Sequence, residues 1–145
     1  EIFQLAARDL ALQLEIHAAA ASWWSVAWSR IKESKALDFG GVPGHAGAFE
    51  YAIVKAIAPH LVSPNPTPSV WPDKNSPTKH DSWIPPMRVE LAGSWIKMNG
   101  YTDNPGSIPD DLGKELLDLS IQGVKEAIES FYKSATEAEK EISKK

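Results

Sequence analysis

Apolar positions in this chain fall into a few periodic stretches separated by glycine and proline. Ile2, Phe3, Leu5, Ala6, Leu10 and Leu12 to Leu14 recur at helical spacing, so the chain opens inside an amphipathic helix with no capping residue before it. That opening reads as a processed or truncated chain. Ile16 to Trp24 then forms a short apolar run bounded by polar residues, which predicts a buried strand with Ser22, Trp23 and Trp24 at its C-terminal end. A surface helix is expected over Val26 to Lys35. From Phe49 the residues Phe49, Ile53, Val54, Ile57 and Leu61 mark one buried helical stripe, closed by Pro59. Met87, Val89 and Leu91 alternate with Arg88 and Glu90 as in a half-buried strand, and Ser94 to Met98 reads as a second extended piece. Leu112, Leu116, Leu119, Gly123, Val124, Ala127, Ile128 and Phe131 trace a long core-facing helix, preceded by turn signals at Asn99-Gly100 and Asp103-Asn104-Pro105-Gly106. Helix, strand and helix in this rhythm predict an α/β protein with a central parallel sheet.

Two stretches break the periodicity. Residues 58–86 hold eight of the eleven prolines together with Trp71 and Trp83. A loop of that length is a functional cover or a subunit contact. Residues 134–145 are a Lys- and Glu-rich tail, expected as a frayed, solvated helix end. Composition narrows the partners. With 145 residues, 43% hydrophobic, and a net charge of −4 without a basic cluster, the chain suits one soluble domain and argues against nucleic acid. No apolar run reaches the roughly 20 residues of a membrane span, and no cysteine is present for disulfides or thiolate metal sites. A cytoplasmic enzyme fits these limits.

The chemistry concentrates in Gly40-Gly41-Val42-Pro43-Gly44-His45-Ala46-Gly47-Ala48-Phe49-Glu50-Tyr51. Four glycines permit close backbone approach, and His45 and Glu50 stand at the head of a helix whose free N–H groups favour anions. The segment lacks the Gly-Lys-Ser/Thr ending of a phosphate loop and the spacing of a dinucleotide fingerprint, and no Gly-x-Ser-x-Gly elbow occurs. A phosphate-bearing substrate at this helix end stays open. His17, His45, His60 and His80 show no helical zinc spacing. His17 reads as a hydrogen-bonded core residue, His60 as a helix-end residue, and His80-Asp81 as a turn pair. His45 carries the functional reading, with capping or packing as its alternative; for Glu50 the alternative is a plain helix N-terminal carboxylate.

The run Gly44-His45-Ala46-Gly47, followed by Phe49-Glu50 and an apolar helix ending in Ala58-Pro59-His60-Leu61-Val62, resembles the creatininase (creatinine amidohydrolase) family. Its members carry His-Ala/Gly-Gly-x-x-Glu-Thr at the head of such a helix. Ala48 stands where many members have Glu, and Tyr51 replaces the usual Thr. The resemblance implies a three-layer α/β/α sandwich with a mostly parallel sheet, here the C-terminal half of the domain over residues 1–145. It implies a zinc- or manganese-dependent amidohydrolase acting on a non-peptide C–N bond of a small cyclic amide or formamide. His45 would be catalytic with Glu50 orienting it or the pocket backbone, and Trp23, Trp24, Gly44 and Gly47 would bind substrate. Core packing is the alternative for Trp23 and Trp24.

The family's Glu-x-His-Gly and Asn-Gly-His motifs, which carry its main metal ligands, do not occur in this sequence. The resemblance therefore implies a companion chain bearing them, within a homo- or hetero-oligomer, and no metal ligand is assigned to this chain. The competing expectation is a noncatalytic assembly subunit that uses its aromatic loop to bind a partner.

Overall fold

The structure is a computed structural model, and it describes residues 2–39, 45–67, 83, 84, 87, 88, 93, 96, 100, 101 and 103–144. Its helices are α1 (Ile2–Leu14), α2 (Trp23–Ile31), α3 (Ala48–Ile57) and α4 (Asp110–Ile142), with single 3-10 turns at Lys35–Asp38 and Pro59–Leu61. Two short strands, β1 (Trp83–Ile84) and β2 (Met87–Arg88), pair antiparallel with Trp83 opposite Arg88 and Ile84 opposite Met87. The chain divides into two compact units, residues 1–33 with 118–145, and residues 34–117.

In the first unit α1 stops where Glu15 turns to a φ of +52°. This left-handed conformation is unfavourable for a residue with a Cβ and ends the helix. Ser22 then opens α2 from an extended conformation, its carbonyl accepting the N–H groups of Ser25 and Val26 at 3.0 and 3.2 Å. Ala27 and Ile31, one turn apart, are the buried residues of α2. Against them lies Gly123 of α4, where an added Cβ would stand 2.5 Å from Ala27 Cα, so the two helices meet backbone to backbone. At the rim, Arg30 Nε and Nη2 donate to the two Glu126 carboxylate oxygens at 3.1 and 2.8 Å, and Gln122 donates to the same carboxylate. These bonds, that from Arg30 foremost, hold the Glu126 carboxyl below its ordinary range and raise the guanidinium of Arg30.

This unit overturns the expected sheet. Residues 15–22 are irregular and Ile16 is 48% exposed, while Trp23 opens a helix instead of ending a strand. The predicted helix over Val26 to Lys35 accordingly starts at Trp23 and ends at Ile31. The physical reasons are local and global. Four successive alanines have little strand propensity, and the Ser22 carbonyl instead accepts the first amides of a helix. A parallel strand also needs hydrogen-bonded neighbours. Among the described residues the strands are β1 and β2 alone, and they are antiparallel. The described chain is helical, and the three-layer α/β/α sandwich with a mostly parallel sheet is not its architecture.

In the second unit the core gathers on α3. Ala48, Phe49, Ala52 and Ile53 form its buried face, with Ile108 and Leu116 also buried. Full burial of Phe49 is worth about 1.5–3 kcal/mol in transfer free energy. The rest of the predicted stripe differs: Val54, Ile57 and Leu61 are exposed. Gly113, in the first turn of α4, admits Ala52 so closely that a Cβ there would lie 2.9 Å from the Ala52 carbonyl oxygen. Lys55 Nζ lies 2.7 Å from Asp110 Oδ1, and this bond raises the Lys55 ammonium above its ordinary range. α3 stops at Ile57 because Ala58 precedes proline and leaves the helical region, at φ −145° and ψ 71°. α4 keeps its helical form through the charged tail to Ile142, with most of that tail exposed. Val89, Leu91 and most of residues 94–98 lie outside the described residues, as do Trp71 and His80.

Candidate active site

The predicted site centres on the N-terminus of α3, and the structure describes it from His45 onward; Gly44 lies outside the described residues. His45 is exposed at the head of the helix. Ala46 follows with a φ of +50°, a conformation costing about 1–2 kcal/mol for a residue with a Cβ. Gly47 returns to extended backbone at φ −90° and ψ −158° and serves as the N-cap, its carbonyl accepting Tyr51 N–H at 2.9 Å.

Glycine brings no capping side chain, so the first amides of the helix find carboxylates elsewhere. Gly47 N–H donates to Glu50 Oε2 at 3.2 Å, the reach-back of a residue in the first turn. Ala48 N–H donates to Asp103 Oδ1 at 2.5 Å, across 55 residues of sequence. A Cβ on Gly47 would collide with that Asp103 carboxylate, its distance to Cγ only 2.6 Å. The missing side chain at position 47 is therefore the space that Asp103 occupies. Both carboxylates also answer the positive end of the helix dipole. An anionic group such as phosphate would meet like charge here, which removes the attraction that kept a phosphate-bearing substrate open.

Asp103 belongs to a turn that grips several neighbours. Ser107 N–H donates to the Asn104 carbonyl at 3.2 Å, and Gly106 takes a φ of +85°, for which glycine is the suited residue. Ser107 Oγ donates to the Phe39 carbonyl at 2.7 Å, and Tyr101 Oη donates to the Thr67 carbonyl at 2.7 Å. Tyr51, in the first turn of α3, donates its hydroxyl to the Ser63 carbonyl at 2.5 Å. Two tyrosines thus fasten the start of the proline-rich segment.

His45, Gly47 and Glu50 come together in the second unit, with the Glu50 carboxylate on the backbone N–H of Gly47. Trp23 and Trp24 belong to the first unit, where they open α2 with ring centroids 5.5 Å apart at 81° and both rings partly exposed. His17 is exposed there, its Nε2 3.8 Å from Glu139 Oε1, so it is not a core residue. His60 is exposed in the 3-10 turn after α3. Asp103 is the site residue that sequence reading missed. Its one signal was the dense turn composition around it, which does not say what the turn touches.

Among the described residues no group of three or more His, Asp or Glu side chains could hold a metal ion. The residues at the head of α3 are not part of any such group. Nor, among the described residues, is any helix long and apolar enough to cross a membrane. No protein of curated function and no solved structure matches the chain. A sequence model of creatininase, creatinine amidohydrolase, matches residues 1–128, so that His45, Gly47, Glu50 and Asp103 all fall inside the match. On that match the chain belongs to the creatininase family, whose activity class is amidohydrolase.

Proposed function

We propose that this chain works within a cytoplasmic, metal-dependent amidohydrolase that opens a non-peptide C–N bond in a small cyclic amide or formamide. The observation that carries the reading is the family match together with His45 at the head of α3, beside Gly47 and Glu50. Water adds to the amide carbonyl carbon, and the His45 imidazole takes the proton that the water loses. The tetrahedral adduct then breaks its C–N bond, and His45 returns the proton to the leaving nitrogen, giving a carboxylic acid and an amine. Imidazole suits both transfers because its ordinary pKa lies near neutrality. Glu50 holds the Gly47 backbone beside it. Gly47 would line the substrate pocket next to His45.

Zinc or manganese would be held by residues other than those described here, on a companion polypeptide carrying the Glu-x-His-Gly and Asn-Gly-His motifs. A second reading, a noncatalytic assembly subunit, draws support from α1, which has no buried residue and exposes Ile2 and Phe3 at 80% and 79%. Native mass spectrometry of the purified assembly, with metal analysis on the same sample, separates the two. A companion chain with bound zinc or manganese, and a turnover lowered about 100-fold or more by His45→Ala, is the expected result. A metal-free assembly of this chain alone, or full turnover by His45→Ala, dismisses the catalytic reading.

A further inference from the structure

The segment that carries His45 is tied at both ends to one turn. Phe39 is held through its carbonyl by Ser107 Oγ at 2.7 Å, and Ala48 is held through its N–H by Asp103 Oδ1 at 2.5 Å. Residues 39 and 48 bracket His45, and residues 103 and 107 lie on a turn closed by the Ser107 N–H to Asn104 carbonyl bond. Between His45 and the helix stands Ala46 in its left-handed conformation, which persists only where the surroundings fix the residues around it. The fixing groups on the helix side are the Asp103 and Glu50 carboxylates on two successive amides. Gly47 leaves the room that the first of these needs.

We infer that Asp103 is the positioning residue for His45: by holding Ala48 N–H it keeps Ala46 left-handed and so fixes where the imidazole is presented. The inference rests on the catalytic reading of His45 and adds to it the group that sets its geometry. Without the Asp103 carboxylate, Ala46 relaxes to negative φ and the chain preceding it, His45 first, swings away from its place. A displacement of about 1 Å in a proton-transfer group costs on the order of 100-fold in rate.

The test uses the full assembly with His45→Ala, Asp103→Ala, Asp103→Asn and the His45→Ala/Asp103→Ala double variant. Hydrogen exchange at the Ala48 amide and the NMR signals of the His45 ring are read first. Asp103→Ala is expected to deprotect Ala48 and shift the His45 ring signals. Asp103→Asn, whose side-chain oxygen caps equally well, restores both. Unchanged Ala48 protection and His45 signals in Asp103→Ala overturn the inference.

Turnover is then followed on creatinine, an N-formylated aminopyrimidine and small lactams. Asp103→Ala should lower kcat about 10- to 100-fold with KM little changed, Asp103→Asn should recover most of it, and the double variant should be no slower than His45→Ala alone. A fully active Asp103→Ala beside a crippled His45→Ala removes this inference and leaves the function standing. An active His45→Ala removes the function itself, and the exchange data still decide whether Asp103 fixes the backbone.

Discussion

Residues 34–117 and residues 1–33 with 118–145 both carry many apolar side chains but treat them differently. In the former, Phe49, Ile53, Ile108 and Leu116 disappear from solvent around the first turns of α4, and the polar groups at the head of α3 are matched one to one. In the latter, α2 buries Ala27 and Ile31, yet α1 leaves Ile2, Phe3, Leu5, Leu12 and Leu14 exposed, and α4 does the same with Ile121 and Ile128. Apolar periodicity states a demand for cover: the first two turns of α3 meet it, whereas α1 and, in residues 34–117, Val54, Ile57 and Leu61 leave it unmet.

Two phenylalanines give the sharpest way to break this contrast. Phe49→Ala should destabilise residues 34–117 by about 3–5 kcal/mol, while Phe3→Ala, at a position 79% exposed, should stay within about 0.5 kcal/mol in thermal or urea melts. Equal effects would mean that α1 is covered after all. Close helix contacts come next. Gly123→Val and Gly113→Val each drive a side chain into a neighbouring backbone and should cost about 1–3 kcal/mol, one in each unit, so the pair reports whether the units melt separately. Third, Asp103→Ala should cost about 0.5–2 kcal/mol as a lost helix cap and lower the helicity of α3, with Asp103→Asn close to the parent.

The smallest effects are electrostatic and run in opposite directions with pH. The Glu126 carboxyl titrates below its unfolded value of 4.5, so its stabilisation of the α2 to α4 contact is present above about pH 4.5 and is lost as pH falls through the lower folded value. The Lys55 ammonium titrates above its ordinary 10.5, so its contribution beside Asp110 is complete at neutral pH and is lost only as pH rises beyond that value. Glu126→Gln should flatten the acid limb of the melting profile and leave the alkaline limb alone, and Lys55→Met should do the reverse. Both ion pairs are partly exposed, and about 0.15–0.5 M salt should weaken both.

Much of the helical layout was legible because it is local. The spacing of Phe49 and Ile53 located α3, Pro59 its end, and the Leu112, Leu116 and Gly123 series located α4. The head of α3 was legible too, as a glycine-flanked histidine with a carboxylate three residues past the cap. What failed was the step from pattern to partner. Ile16 to Trp24 has the hydrophobicity of a buried strand, but hydrophobicity carries no information on hydrogen-bonding neighbours, and Ser22 instead starts a helix. Asp103 and the Arg30 to Glu126 pair were invisible for a related reason, lying 55 and 96 residues from their partners. A turn-forming Asp and a surface Arg look alike whether they face water or a distant amide.

Gly47 and Asp103 occupy one shared volume, which makes them a single heritable unit. A Cβ at position 47 leaves no room for a carboxylate at 103, so a chain that acquires one must shorten residue 103, and a serine at 47 would then cap the next amides of the first turn, Phe49 or Glu50, from its own side chain. Across descendants of this sequence the two sites should therefore change together or not at all, and a library randomising both should return glycine with aspartate or asparagine, or serine with a small residue, and few mixed pairs.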